Sequence, residues 1–157
     1  MSSTSTSTVH HTGACDFVVS LPTDYESKVA KRHKFNAVYM LDGDVQAKAF
    51  ADAAAANTAK FAGVDGRQWY PDLIVVGIRT QQLVELEHCA TDILDLFEAA
   101  VSTIDSQYNT NPYAAGRAIL GLATASGGGG AVSKLLLQDD ARSQLFRFIL
   151  LGLVGHD

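Results

Sequence analysis

The feature that most limits what this chain can fold into is a set of apolar runs that do not alternate with polar residues. Leu73-Ile74-Val75-Val76-Gly77-Ile78 and Ala118-Ile119-Leu120-Gly121-Leu122-Ala123 are the clearest. A strand with one wet face alternates apolar and polar residues. A strand that is apolar throughout is buried on both faces, as in a parallel sheet covered by helices. Phe17-Val18-Val19-Ser20-Leu21, stopped by Pro22, reads as a first strand, and Asn36 to Leu41, stopped by Asp42-Gly43, as a second. Asp72 to Ile78 is a third, Arg117 to Ala123 a fourth and Phe146 to Leu151 a fifth.

Helical patterns lie between these runs. Residues 44–62 are rich in Ala and helical by propensity. Residues 84–107 place Leu86, Ala90, Ile93, Leu94, Phe97, Val101 and Ile104 at three- and four-residue steps, with Asp92, Asp95 and Glu98 on the other side. Ala131 to Gln138 opens a further helix after a run of glycines. Strands alternating with helices predict an α/β fold: a mostly parallel sheet of about five or six strands with helices on both faces.

The chain has the material for such a core, since 47% of its 157 residues are apolar and only 18% are charged. That composition argues against disorder. A net charge of -5 argues against nucleic acid as the main partner, because phosphate binding needs a basic face. No apolar run reaches the length of a membrane span. Residues 1–13 are rich in Ser and Thr and read as a disordered tail, with 14–157 as one domain. That tail has no basic start followed by an apolar stretch, so it is not read as a secretory signal, and a cytoplasmic setting is the default expectation.

Several segments resemble the serine esterase family of the α/β-hydrolases, the branch with enterochelin esterases, S-formylglutathione hydrolases and mycolyltransferases. Leu21-Pro22-Thr23-Asp24-Tyr25 resembles that family's motif after an early strand, and Val38-Tyr39-Met40-Leu41-Asp42-Gly43 its strand ending in Leu-Asp-Gly. Leu73 to Ile78 resembles the next strand. Ile104-Asp105 with Tyr108, followed by Arg117-Ala118-Ile119 and Gly121, resembles the helix end and strand that lead into the nucleophile turn. The order and spacing of these segments, over about 17–150, carry the resemblance more than any one of them.

The resemblance implies a nucleophilic serine on a strained strand-to-helix turn of the type Gly-x-Ser-x-Gly, where glycines avoid a Cβ clash. It also implies an oxyanion hole of two backbone N–H groups, one after the serine and one from the loop after the Leu-Asp-Gly strand. The second donor would be Asp44. Counted without a gap from Arg117, the nucleophile position holds Ala123, which has no nucleophilic atom. A three-residue shift puts Thr124-Ala125-Ser126-Gly127-Gly128 on the motif, with Ser126 as nucleophile, Gly127 as oxyanion donor, and Thr124, Gly128 and Gly129 shaping the turn. Turn chemistry favours the shift, although Thr124 brings a Cβ where the family has none. The plainer reading of Ser126 is a helix-entry residue beside a glycine run.

The acid and histidine of a Ser–acid–His triad follow the serine in chain order in this family. Here only Asp139, Asp140, His156 and Asp157 follow. The two former come too early to follow a later strand, and the latter read as a solvated terminus. The expectation is a hydrolase-like domain without its last strands, weak or inactive as an esterase. It would act on a small ester or thioester if active. The alternative is a non-catalytic protein that binds a partner or self-associates through an exposed sheet edge.

The remaining patterns are weaker. His10, His11 and Cys15 do not match metal-ligand spacing, and Cys89 beside His88 reads as a small apolar residue. No cofactor is expected, because the glycine run lacks the Gly-Lys-Ser/Thr of a phosphate loop and comes too late for a dinucleotide fingerprint. Lys28 to Lys34 holds the one basic cluster and reads as a solvated loop, with a phosphate or acidic-partner site as the alternative.

Overall fold

A computed structural model describes residues 6–12, 15–40, 43–61, 73–78, 93–113, 116–123, 144–146 and 148–153. Six strands form one sheet: β1 (Thr6–Thr12), β2 (Cys15–Leu21), β3 (Asn36–Met40), β4 (Leu73–Ile78), β5 (Arg117–Ala123) and β6 (Phe148–Leu153). Their order across the sheet is β1-β2-β4-β3-β5-β6. Strands β4, β3, β5 and β6 are parallel, while β2 runs antiparallel to β4 and β1 antiparallel to β2. Three helices are described: α1 (Tyr25–Ala30), α2 (Gly43–Phe61) and α3 (Ile93–Gln107).

The sheet is therefore mixed, and the expected tail needs correction. Thr6–Thr12 is a full strand, paired with β2 from Thr6↔Leu21 to Thr12↔Cys15. Only Gly13 and Ala14 separate the partners Thr12 and Cys15, too few for the crossover that a parallel pair needs. His10 and His11 thus belong to a paired strand and not to a free tail. The last strand also lies later than expected, at Phe148–Leu153 in place of Phe146–Leu151. Helix α1, which no apolar period in the sequence predicts, occupies the start of the basic segment expected to be a solvated loop.

The side-chain period of two in the strands separates two apolar layers. On one face Phe17, Val19, Ala37, Tyr39, Ile74, Val76, Ile78 and Ile119 pack against Phe97, Ala100, Val101 and Ile104 of α3. Asp95 and Glu98 are exposed, as expected on the outer side of this helix, while its expected start over 84–92 and the expected helix from Ala131 to Gln138 lie outside the described residues. On the other face Val38, Met40 and Val75 pack against Ala47 and Ala51 of α2, with Phe50 and Ala118 half-buried beside them. The small alanines let α2 lie close to the sheet, which explains why an Ala-rich helix sits over this face. Residues that are apolar in both registers of β3 and β4 are needed because both faces are covered.

Polar anchors fasten the end where β3 and β5 begin. Arg117 Nη2 donates to Asp105 Oδ2 at 2.6 Å and to the Pro112 carbonyl at 2.7 Å, and Nη1 to the Leu145 carbonyl at 3.3 Å. Thr110 Oγ1 donates to the other Asp105 oxygen at 2.7 Å. The guanidinium ties α3 to β5 and to the approach to β6. Tyr25 packs edge-on against Tyr108, and its hydroxyl accepts the Asn109 N–H at 3.0 Å. Four of the motif residues, Tyr25, Asp105, Tyr108 and Arg117, are thus scaffold and lie far from the strand ends where chemistry is expected.

Candidate active site

In an open sheet with parallel strands, ligands bind beyond the carboxyl ends of the strands, at the point where successive connections leave in opposite directions. The strand order fixes that point here. From β3 the chain passes through α2 to β4 on one side, and from β4 through α3 to β5 on the other side of β3. The helices of the two connections cover opposite faces. That rule assigns the candidate site to the carboxyl ends of the neighbouring strands β3 and β5.

Backbone register shows what meets there. Met40, the last residue of β3, pairs with Leu120 of β5. Ala123, the last residue of β5, pairs with Leu153, the last residue of β6. Past Met40 the chain enters α2 at Gly43, so Asp44 lies in the first turn of that helix. The first N–H groups of a helix have no partner inside it, and the helix dipole makes this end favourable to negative charge. The edge thus brings together the N-terminal turn of α2 and the exit of β5.

Of the residues singled out in the sequence, Asp44 and Ala123 fall on this edge. Ala123 is still in the ladder with β6, so the strand reaches the unshifted nucleophile position. Thr124, Ser126, Gly127, Gly128 and Gly129 lie outside the described residues, as do Cys89, Asp139, Asp140, His156 and Asp157. Among the described residues no group of three or more His, Cys, Asp or Glu side chains could hold a metal ion. No helix among them is long and apolar enough to cross a membrane.

The core beneath this edge is apolar. Tyr39 of β3 is fully buried, with its ring edge-on to Phe146 at 5.4 Å, and Phe146 is edge-on to Phe97 at 5.4 Å. Its hydroxyl has no hydrogen-bond partner among the described residues. Burial pushes the phenol well above its ordinary pKa, the Asp105 carboxylate adds to the rise and the Arg117 guanidinium opposes it. Tyr39 is therefore a neutral packing group under the edge. Sequence reasoning placed it on a strand but gave no sign of its isolated hydroxyl, because that depends on which side chains face it from α3.

Comparison with solved structures agrees with this architecture. A ferulic acid esterase matches 94% of this chain at 16% identity with a TM-score of 0.55. The S-formylglutathione hydrolase of Staphylococcus aureus matches 97% at 13% identity with a TM-score of 0.60. The chain spans 58% and 59% of the length of those two proteins. No family model matches the chain, and no curated protein matches it by sequence. The likeness establishes that this chain shares the α/β fold of those two proteins.

Proposed function

We propose that the chain is a serine-esterase domain of the carboxylesterase type, with its reaction centre at the carboxyl ends of β3 and β5. The observation that carries this reading is the strand order, in which successive connections lead to opposite sides of β3 and the first turn of α2 comes beside the exit of β5. The two solved structures named above, a ferulic acid esterase and an S-formylglutathione hydrolase, share the fold, which supports the choice of reaction.

In this reading Ser126 Oγ attacks the carbonyl carbon of a small ester or thioester. The N–H groups of Asp44 and Gly127 stabilise the oxyanion. The alcohol or thiol then leaves with the serine's proton, and water releases the acid from the acyl-serine. The continuation of β5 to Ala123 supports the register with Ser126 at the turn. The acid and histidine would come from outside this sequence. Without them an oxyanion hole and binding alone give roughly 10³–10⁴-fold over water in well-built sites. The proposed activity of the chain alone is therefore weak.

Hydrolysis of p-nitrophenyl acetate by the wild type, Ser126→Ala and Asp44→Pro tests the reading. Proline is tolerated in the first turn of a helix, so Asp44→Pro removes the N–H while sparing α2. Loss of one oxyanion donor costs roughly 10²–10³-fold. Most of the excess rate over buffer should vanish in both variants, and an acetylated Ser126 peptide should form in the wild type, far more slowly in Asp44→Pro and not at all in Ser126→Ala. Equal rates in all three proteins exclude the site.

A second reading rests on β6. It is the last strand in the sheet order, and its outer edge has no partner among the described residues. An unpaired apolar edge recruits other chains. Light scattering after size exclusion tests it: a dimer supports self-association, and a monomer at high concentration excludes it.

A further inference from the structure

We propose that the chain carries a second site, for a soluble organic phosphate, at the opposite end of the sheet from the ester-hydrolysing edge. There a cleft of about 580 Å³ opens between the end of α1 and the end of α3. Its wall is made by Tyr25, Val29, Arg32, Lys34, Tyr108 and Asn109. The volume is that of a small-molecule site.

The charge in this cleft is unusual for the chain. The protein is acidic overall, at -5, yet the cleft contains two cations and no carboxylate among its lining residues. Lys28 nearby is paired with Asp24 at 3.2 Å, so the local carboxylate is taken. Lys34 Nζ donates to the neutral Asn109 Oδ1 at 2.6 Å, which orients the ammonium without cancelling its charge. Asn109 is itself held, because its Nδ2 donates to the His33 carbonyl at 2.6 Å and its N–H to the Tyr25 hydroxyl. Tyr25 accepts there and keeps its own proton to donate.

The backbone supplies an independent sign. Arg32 has φ 61°, the left-handed region that favours glycine. The position closes α1: Arg32 N donates to the Val29 carbonyl at 2.9 Å and His33 N to the Lys28 carbonyl at 3.0 Å. This is the helix-ending motif in which glycine is the usual residue. An arginine there carries a conformational cost that a glycine would not. Arg32 lines the cleft and has no ion-pair partner among the described residues. Strain kept at one residue whose side chain faces a cleft is a sign of a binding role.

The chemistry selects the ligand class. A guanidinium offers two parallel N–H donors to a phosphate, and an ammonium adds a point charge. Tyr25, Tyr108 and Val29 give an apolar wall for an organic group, so bare phosphate fills the site incompletely.

Calorimetric titration with phenyl phosphate, inorganic phosphate and phenol tests the proposal. Phenyl phosphate should bind at least ten-fold more tightly than inorganic phosphate, and phenol should not saturate over the same range. Arg32→Gly should lose at least ten-fold in affinity for phenyl phosphate while melting at the same temperature or higher, since glycine suits the backbone. Arg32→Lys should bind with intermediate affinity. Unchanged binding in Arg32→Gly overturns the proposal. So do the absence of phenyl phosphate binding to the wild type and equal affinity for phenol. Equal affinity for inorganic phosphate would reduce the site to a simple anion site and overturn the organic-ligand assignment. None of these readouts involves Ser126 or ester hydrolysis.

Discussion

The ion pair between Asp105 and Arg117 allows a quantitative test of how the scaffold is held. The Arg117 side chain is 9% exposed and the Asp105 side chain 24%, with 2.6 Å between the bonded atoms. Two charges about 4 Å apart attract by about 4 kcal/mol at an effective dielectric of about 20, and by about 1 kcal/mol in water. The burial of Arg117 puts this pair nearer the first figure. Asp105→Asn keeps the shape and a hydrogen-bond acceptor but leaves the guanidinium facing only the Pro112 and Leu145 carbonyls. Removing one member of a buried pair costs about 3–5 kcal/mol. Because Asp105 is partly wet, the expected loss is near the lower end, about 3 kcal/mol. For a chain of this size that lowers the melting temperature by about 6–12 °C. Urea denaturation should show a lower midpoint with an unchanged slope. The double variant Asp105→Asn with Arg117→Met should lose less than the sum of the single losses. A loss below about 1 kcal/mol in Asp105→Asn, or strict additivity, would mean that water screens the pair and the reasoning fails.

Other predictions follow from the same packing. Tyr39→Phe removes a buried hydroxyl without a partner among the described residues and should raise stability by about 1 kcal/mol in urea. Because burial raises the Tyr39 pKa, the folded state holds its proton longer than the unfolded state does. Stability from this group is full below the unfolded pKa, about 10, and falls as pH rises above it, so Tyr39→Phe should flatten the alkaline loss. A Cβ on Gly116 would lie 2.6 Å from Asn111 Cβ, and Asn111 is fixed by its N–H to the Phe35 carbonyl at 2.8 Å. Gly116→Ala should therefore destabilise by about 1–3 kcal/mol in thermal or urea melts, and a neutral result would show that the turn can move. Deleting residues 1–12 turns β2 into an edge strand; faster hydrogen exchange at Phe17–Leu21 and more aggregation are expected, and unchanged exchange would contradict the β1 pairing.

The central sheet was legible because both of its faces are covered. Burial on two sides forces β4 and β5 to be apolar throughout, and that pattern survives in the sequence without neighbours. The face of α3 was legible for the same reason, with Phe97, Val101 and Ile104 all turned to the core. Strand β1 was hidden by its composition. Ser and Thr read as solvated, yet Thr is β-branched and pairs well once β2 offers an open edge. The two-residue spacing at Gly13-Ala14 was the available hairpin signal. The short α1 has too few residues for an apolar period, and its end at Arg32 lacks the glycine that marks helix ends in sequence.

The site was legible only in outline. Asp42-Gly43 at the entry to α2 and the glycine run that follows β5 in the sequence pointed to two strand ends, but nothing in the sequence makes β3 and β5 neighbours. That follows from the strand order, which sets β3 beside β5 while β4 lies on the other side. The roles of Tyr25, Asp105, Tyr108 and Arg117 were hidden for a similar reason. Each acts through a partner distant in sequence, as with Tyr25 and Asn109.

Labelling with a fluorophosphonate probe, followed by peptide mapping on folded protein, tests the placement of the reaction centre most directly. Slow labelling confined to the peptide containing Ser126 is expected, absent in Ser126→Ala and strongly slowed in Asp44→Pro. Label on another residue, or none on protein that melts cooperatively, would contradict it.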